Sequence, residues 1–333
     1  MKKIIALLLA ATMIFGLVAC SGDNSTTTTE SESGLSGKVT VYMPSPAGLA
    51  DELAAGFTAA TGVEVEIFQG TTGEILARLE AEEANPVADV VILASWTDGL
   101  SMKNQGKIMS YIPENADKVV DGWIDKDSML FGYSASAVGV IYNTTIIPEL
   151  SADWSELASP EYKDLLAIPD AEKSGACKDF IAGYVNAKGW EDFEAIAENG
   201  MINGGANKTA LESVTTGEIG ILVAGVDYNA YSSIDIGEPL QIYYPAGGTV
   251  VNPRPAMIMN TSPNVENAKA FVDYLFSDEA QNMVAKAFLL PGRADVTCIN
   301  RTNLEDIPQI ECDWDAMVEN SVEYAAKMNS LCK

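Results

Sequence analysis

Histidine is absent from all 333 residues. Without it no Ser-His-Asp or Cys-His pair can be assembled and no imidazole can ligate zinc or haem, so the commonest hydrolytic routes are closed. Basic residues are scarce: 20 Lys and Arg stand against 47 Asp and Glu, a formal charge of −27. That balance argues against nucleic acid or an anionic membrane surface as a partner. A small anionic ligand remains open, because charges more than about 8 Å away are screened at physiological salt and local N–H groups can dominate a site. The acidity itself reads first as solubility. No G-x-x-x-x-G-K-[ST] occurs, so the chain does not spend ATP itself. C-x-x-C spacing, internal repeats and a second long apolar run are also missing.

What is present begins with Lys2 and Lys3 ahead of an apolar run from Ile4 to Val18. The run is too short to span a membrane comfortably and reads as a secretory signal over residues 1–19. Leu17-Val18-Ala19-Cys20 resembles the lipobox of bacterial lipoproteins, which implies cleavage before Cys20 and lipidation of its thiol. The mature chain is then extracytoplasmic and tethered to the membrane by lipid, and losing Lys2 and Lys3 takes its charge from −27 to −29. Residues 20–37 hold Cys20 and a Ser, Thr, Glu and Gly run that buries too little to order itself, a flexible linker. Packed structure is expected from Lys38. Of the cysteines beyond Cys20, Cys177, Cys298, Cys312 and Cys332, an even number in an exported chain suggests disulfides with three possible pairings. Cys298 with Cys312 closes a short loop and is the pairing favoured; buried free thiols are the plainer alternative.

Lys38 to Tyr42 alternates as a strand, Leu49 to Thr61 has helical period, and Val63 to Phe68 is a second strand. Glu74 to Ala84 is helical, and Asp89 to Leu93 is apolar on consecutive positions, as a strand buried on both faces would be. Three β-then-α units in a row predict an α/β fold with a mostly parallel sheet. Ligands of such sheets sit beyond the carboxyl ends of the strands, where the loops Pro44–Gly48, Gln69–Gly73 and Ala94–Gly99 fall. All three are rich in Ser, Thr and Gly, and two precede helices whose free N–H groups favour an anion or a carbonyl. Ordinary capping explains any one of them; three on one edge favour a site.

Tyr133 to Asn143 is a long alternating strand, taken as the crossing from a first lobe into a second. Lys173-Ser174-Gly175-Ala176 opens a helix through Asn186, and Ala206 to Thr216 is helical. Ile219 to Ala224 is a buried strand that delivers Gly225 to Tyr231 to the cleft edge. Gln241 to Pro245 and Val250 to Asn260 form the return crossing, followed by helices over 268–276 and 280–288. From Gly292 the chain is expected to be irregular. Lobe I is thus assigned to 38–134 and 246–286, and lobe II to 135–245 and 287–333.

Ala88-Asp89-Val90-Val91, Gly139-Val140-Ile141-Tyr142-Asn143, Pro169 to Gly175 and the stretch from Ser262 to Gln281 resemble the extracellular solute-binding proteins of ABC importers. The branch is the one with ferric-ion, phosphonate, sugar-phosphate and thiamine binders, and the resemblance covers most of Lys38 to Val296. It implies a two-lobe, type II periplasmic-binding-protein-like fold with two crossing strands as hinge. It further implies a monomer that closes on a solute and hands it to a membrane permease whose ATPase lies inside the cell. It implies no cofactor and no chemistry on the solute.

Ferric members use a histidine in the first loop, a glutamate after the third strand and a tyrosine pair in the second lobe. Those positions fall here near Ser45, Ala94 and Asp227-Tyr228, which disfavours iron but leaves Asp227 and Tyr228 as its candidate ligands. Arginines that hold a companion anion in ferric members fall at Ser136 and Val138. The favoured solute is a phosphonate, sugar phosphate or similar organic anion. Candidate anion contacts are the hydroxyls of Ser45, Thr71, Thr72, Ser95, Ser134, Ser136 and Ser174, with Arg254 and Lys173 as counter-charges. Asp227 could take an amine or sugar hydroxyls, and Trp96 or Tyr228 could cover an apolar face, with core packing as the plainer role for each aromatic. The reading from another class is a secreted carboxylate-dependent hydrolase, for which Asp98 and Asp227 are the pair on offer.

Overall fold

A computed structural model of the chain describes residues 34–46 and 48–333. The expected leader, Cys20 and most of the linker lie outside the described residues. Chain order runs β1 (Lys38–Met43), α1 (Leu49–Thr61), β2 (Glu64–Gln69), α2 (Thr72–Ala81), β3 (Val90–Ile92), α3 (Trp96–Asn104) and β4 (Ile108–Met109). β1 pairs in parallel with β2 on one side and β3 on the other, Val39 facing Val65 and Val41 facing Val90. All of β1 after Lys38 is buried, Thr40 included, although its sequence alternates.

β5 (Phe131–Asn143) is the spine, with all thirteen residues buried. There follow β6 (Leu166–Ile168), α4 (Gly175–Lys188), α5 (Glu191–Glu198), β7 (Ile202–Asn203), α6 (Asn207–Thr215) and β8 (Ile221–Val226). The chain then forms α7 (Asp227–Asp235), β9 (Leu240–Tyr243), β10 (Val251–Met259), α8 (Val265–Leu275), α9 (Asp278–Lys286), β11 (Leu290–Pro291) and α10 (Trp314–Leu331). The first half of β5 pairs antiparallel with β10, from Phe131 opposite Ala256 to Ala137 opposite Val251. From Val138 onward its partners are β8 and β9. The strand order β2-β1-β3-β10-β5-β8-β6-β7 therefore has two halves joined through β5, with β9, a turn and β10 as the return. Each half carries its own helices, which makes two lobes. One continuous apolar core runs from Val39 and Phe57 through Tyr133 and Val140 to Phe180 and Met328.

Two local features differ from expectation. The strand expected over 219–224 runs on to Val226, and α7 begins at Asp227. The β5–β8 register shifts between Gly139 and Ile141, so Val223 and Ala224 together face Val140. Ala224 takes φ 54 to absorb the extra residue, a bulge that swings the strand end into α7. The C-terminal segment is not irregular throughout either. Asp313 caps α10, whose buried Met317, Ser321, Ala325 and Met328 recur at helical spacing. That helix packs on both α4 and α3, and β11 pairs with Ser134 and Ala135, so 287–333 touches both halves.

Candidate functional site

Between the two halves lies a cleft of about 950 Å³. One wall is built by Ser45, the loop after β2 with Thr71 and Thr72, and the end of α9 at Lys286 to Phe288. The facing wall is built by Lys173, Gly175, the first turn of α6 at Asn207, and Tyr228 and Asn229 on α7. These are carboxyl-end loops and helix N-termini of a largely parallel sheet, where that topology puts ligands. The walls approach closely at two glycines. A Cβ on Gly73 would sit 2.7 Å from the Glu172 carbonyl oxygen, and one on Gly175 would sit 2.6 Å from that of Ala94.

Of the residues singled out from sequence, Ser45, Thr71, Thr72, Tyr228 and Lys173 line this cleft. Thr71 is occupied as the cap of α2, accepting from the Glu74 N–H at 3.2 Å in a reciprocal capping box. Thr72 accepts from the Ala94 N–H at 3.1 Å and so stitches two loops together. Ser174 caps α4 by accepting from the Cys177 N–H at 3.2 Å. Lys173 pairs with Asp170 at 3.4 Å on the exposed rim.

Behind Pro44 and Tyr228, and outside the residues that line the cleft, lies a different group. Arg254 is 1% exposed and forms no ion pair among the described residues. One Nη donates to the Pro44 carbonyl, Nε has no partner among the described residues, and the guanidinium lies 5.6 Å from the Tyr228 ring centroid. Ser134 stands opposite Arg254 across the β5–β10 ladder, and Ser136 opposite Asn252. The hydroxyls of Ser134, Ser136 and Ser45, all buried, have no hydrogen-bond partner among the described residues, and neither does Oδ1 of Asn207 on the far wall. A cation and several unused donors thus lie against the cleft lining at Pro44, Ser45 and Tyr228, where desolvation makes each costly unless something satisfies it.

Three expectations are corrected. Asp227 does not face a solute: its carboxylate is fully buried in an ion pair with Arg301 at 2.6 Å and accepts from the Ala137 N–H at 3.0 Å and the Tyr244 hydroxyl at 3.1 Å. Ser95 and Trp96 are also committed. The Trp96 N–H donates to Asp179 at 2.7 Å, the Ser95 hydroxyl donates to the same carboxylate at 2.9 Å, and the Trp96 ring packs 6.4 Å from Trp314 outside the cleft. The α3 N-terminus that was to hold a ligand anion already holds the protein's own. The bridge between Cys298 and Cys312 is not formed. All four described cysteines are free thiols, Cys298 lying against the cluster of Trp123 and Ile307, and Cys312 against the main core. Burial raises the thiol pKa of Cys312 to about 12 and of Cys332 to about 11.

Asp227 is thus held by Arg301 while Tyr228 lines the cleft, and no cluster of three or more Asp, Glu, Cys or His residues suited to a metal exists among the described residues. Nor are Asp98 and Asp227 a hydrolytic pair. Asp98 is bound to Lys178 and borders a separate groove with Met102 and Asn260. Sequence reasoning missed Asn207, Asn229 and Phe288. Asn207 was reachable by applying to β7 and α6 the carboxyl-end rule used for the first lobe; Phe288 lines the cleft only because α9 ends there.

The family model described as bacterial extracellular solute-binding protein matches residues 85–320. Iron uptake protein A1 of Synechocystis sp. is 29% identical over 260 residues, covering 71% of this chain and 70% of its own length. A putative 2-aminoethylphosphonate-binding periplasmic protein of Salmonella typhi is 22% identical over 284 residues, 78% of this chain and 80% of its own. Among solved structures, the periplasmic binding protein AfuA from Actinobacillus pleuropneumoniae, with exogenous fructose-6-phosphate bound, superposes with TM-score 0.78 at 19% identity. That match covers 88% of this chain and 97% of AfuA.

Proposed function

We propose, from the premise that the chain belongs to the bacterial extracellular solute-binding protein family, that the solute it captures for an ABC importer is an organic phosphonate or phosphate. The observation that carries this reading is Arg254, a buried guanidinium with no carboxylate partner beside the unused hydroxyls of Ser45, Ser134 and Ser136. A tetrahedral dianion supplies both the missing charge and the missing acceptors, and tetrahedral oxygens suit a guanidinium fork. Relatives carry both iron and 2-aminoethylphosphonate in their names. The donor set here is one of hydroxyls and a cation, which repels Fe³⁺ and attracts an anion. Glu74, Glu212 and Glu238 higher in the cleft suit a positive or hydroxylated tail on the same solute.

The working cycle is capture and release. The solute bridges both walls, favours the closed form by its extra contacts there, and is passed unchanged to a membrane permease driven by a cytoplasmic ATPase. The chain acts as a monomer on a lipid tether at Cys20, without a cofactor. Thermal unfolding of the mature chain against 2-aminoethylphosphonate, fructose 6-phosphate, inorganic phosphate and ferric citrate tests this, because a ligand of the folded state raises its stability by mass action. A rise with at least one phosphonate or phosphate is expected. A rise with ferric citrate alone, or turnover of any of these compounds, refutes the reading.

A further inference from the structure

Away from Arg254, α4 reaches from the second lobe to the first and ends the first turn of α3 with its own carboxylate. Asp179 is fully buried. Its Oδ1 accepts from the Ser95 hydroxyl at 2.9 Å and the Thr97 hydroxyl at 2.5 Å, while Oδ2 accepts from the Trp96 N–H at 2.7 Å and the Thr97 N–H at 3.4 Å. Four donors converge on one carboxylate at a helix N-terminus, the arrangement that elsewhere binds a free anion. The neighbouring Lys178 forms a buried ion pair with Asp98 on the same turn of α3. Asn252 on β10 closes the ring, accepting from the Trp96 N–H at 3.2 Å and donating to the Ala94 carbonyl at 2.7 Å. The approach of Gly175 to Ala94 shows how little room is left between the two backbones there.

We propose that Asp179 is the residue that sets the angle between the lobes: a carboxylate supplied by α4 stands where a solute anion would otherwise sit at α3, and solute capture depends on it although it touches no solute. The assignment holds whichever solute the cleft takes. Lobe packing alone does not account for it, because a buried carboxylate is costly unless every oxygen is satisfied, and here all the donors but none of the acceptors come from the opposite lobe. Asp179 is a positioning residue. It acts by holding the first turn of α3, and with it Ala94 at the cleft wall, in fixed register with Gly175.

The chemistry gives a test that needs no solute. In Asp179→Asn the amide oxygen can face the two N–H groups while its NH2 donates to hydroxyls that turn to accept, so the tie is kept. Asp179→Ala leaves a carboxylate-sized space with its donors intact, which formate can enter. Hydrogen exchange at the Trp96 and Thr97 amides, with the radius of gyration from solution scattering, reads the tie directly. Protection in D179A is expected to fall about tenfold with an increase in radius, formate should restore both, and D179N should match wild type. Thr97→Val removes one donor from the other side and carries the test if D179A does not fold; it should loosen the same amides. Wild-type protection in D179A or T97V, or a loss in D179A that formate leaves unchanged, overturns the assignment.

Discussion

Two arginines are buried beside β5, and they differ in one respect. The side chains of Arg301 and its partner Asp227 are both fully buried, and the other Arg301 donors go to the Thr302 carbonyl at 3.1 Å, the Phe288 carbonyl at 2.6 Å and the Tyr244 hydroxyl at 3.3 Å. Arg254 is as deeply placed but, among the described residues, meets only the Pro44 carbonyl and a tyrosine ring. The first is a closed account of charge within the protein; the second leaves charge for something else. Burial therefore does not separate framework from site in this molecule, whereas the presence or absence of a counter-ion does.

The sharpest way to break this comparison is Asp227→Ala. It would leave Arg301 charged and buried without a partner, and a loss of about 3–5 kcal/mol in urea unfolding is expected. A loss below about 1 kcal/mol would mean that Arg301 finds water or another acceptor, and the two arginines would then be alike.

A smaller effect separates two buried carboxylates. Burial, with some help from Asp98, pushes Asp179 up to about 6 from its ordinary 3.8, against the opposing influence of Lys178 and the Thr97 and Ser95 hydroxyls. A raised folded-state pKa means that the folded chain holds this proton more tightly than the unfolded one. The stability it contributes is complete below the unfolded value and is lost as pH rises through the folded value. Wild type should lose about 3 kcal/mol relative to Asp179→Asn between about pH 4 and pH 6, with no further divergence above. Parallel melting curves for the two proteins across that range would show that the carboxylate is not desolvated.

Much of the architecture was legible because strands write themselves into sequence, β3 as consecutive apolar residues and β1 and β5 as alternation of β-branched and small residues. The crossing strand was readable from Tyr133 to Asn143 by its alternation. The carboxyl-end rule then brought Ser45, Thr71, Thr72 and Tyr228 to the cleft. What sequence could not show was which polar residues are already taken. Ser95 and Asp227 look like free ligands in one dimension, and only the fold reveals Asp179 and Arg301, which lie 84 and 74 residues away from them. α10 was missed because its buried stripe is narrow and interrupted by Ser321, so its pattern stays weak until α4 and α3 supply the surface it covers.

The finest test of the comparison replaces Arg254 itself. Methionine is of similar length, carries no charge and can fill the space under Tyr228 without needing an acceptor. If Arg254 is kept for an absent counter-charge, Arg254→Met should melt higher than wild type when no solute is added, by about 1–3 kcal/mol, because an unmet buried charge and an orphaned Nε are removed together. The same variant should lose the stabilisation by phosphonates or phosphates that wild type shows. Both outcomes are needed, since a gain in stability with an intact ligand response would place the anion elsewhere in the cleft. A loss of stability would instead mean that the bond to Pro44 and the contact with Tyr228 already satisfy the guanidinium, which would make Arg254 a framework residue like Arg301.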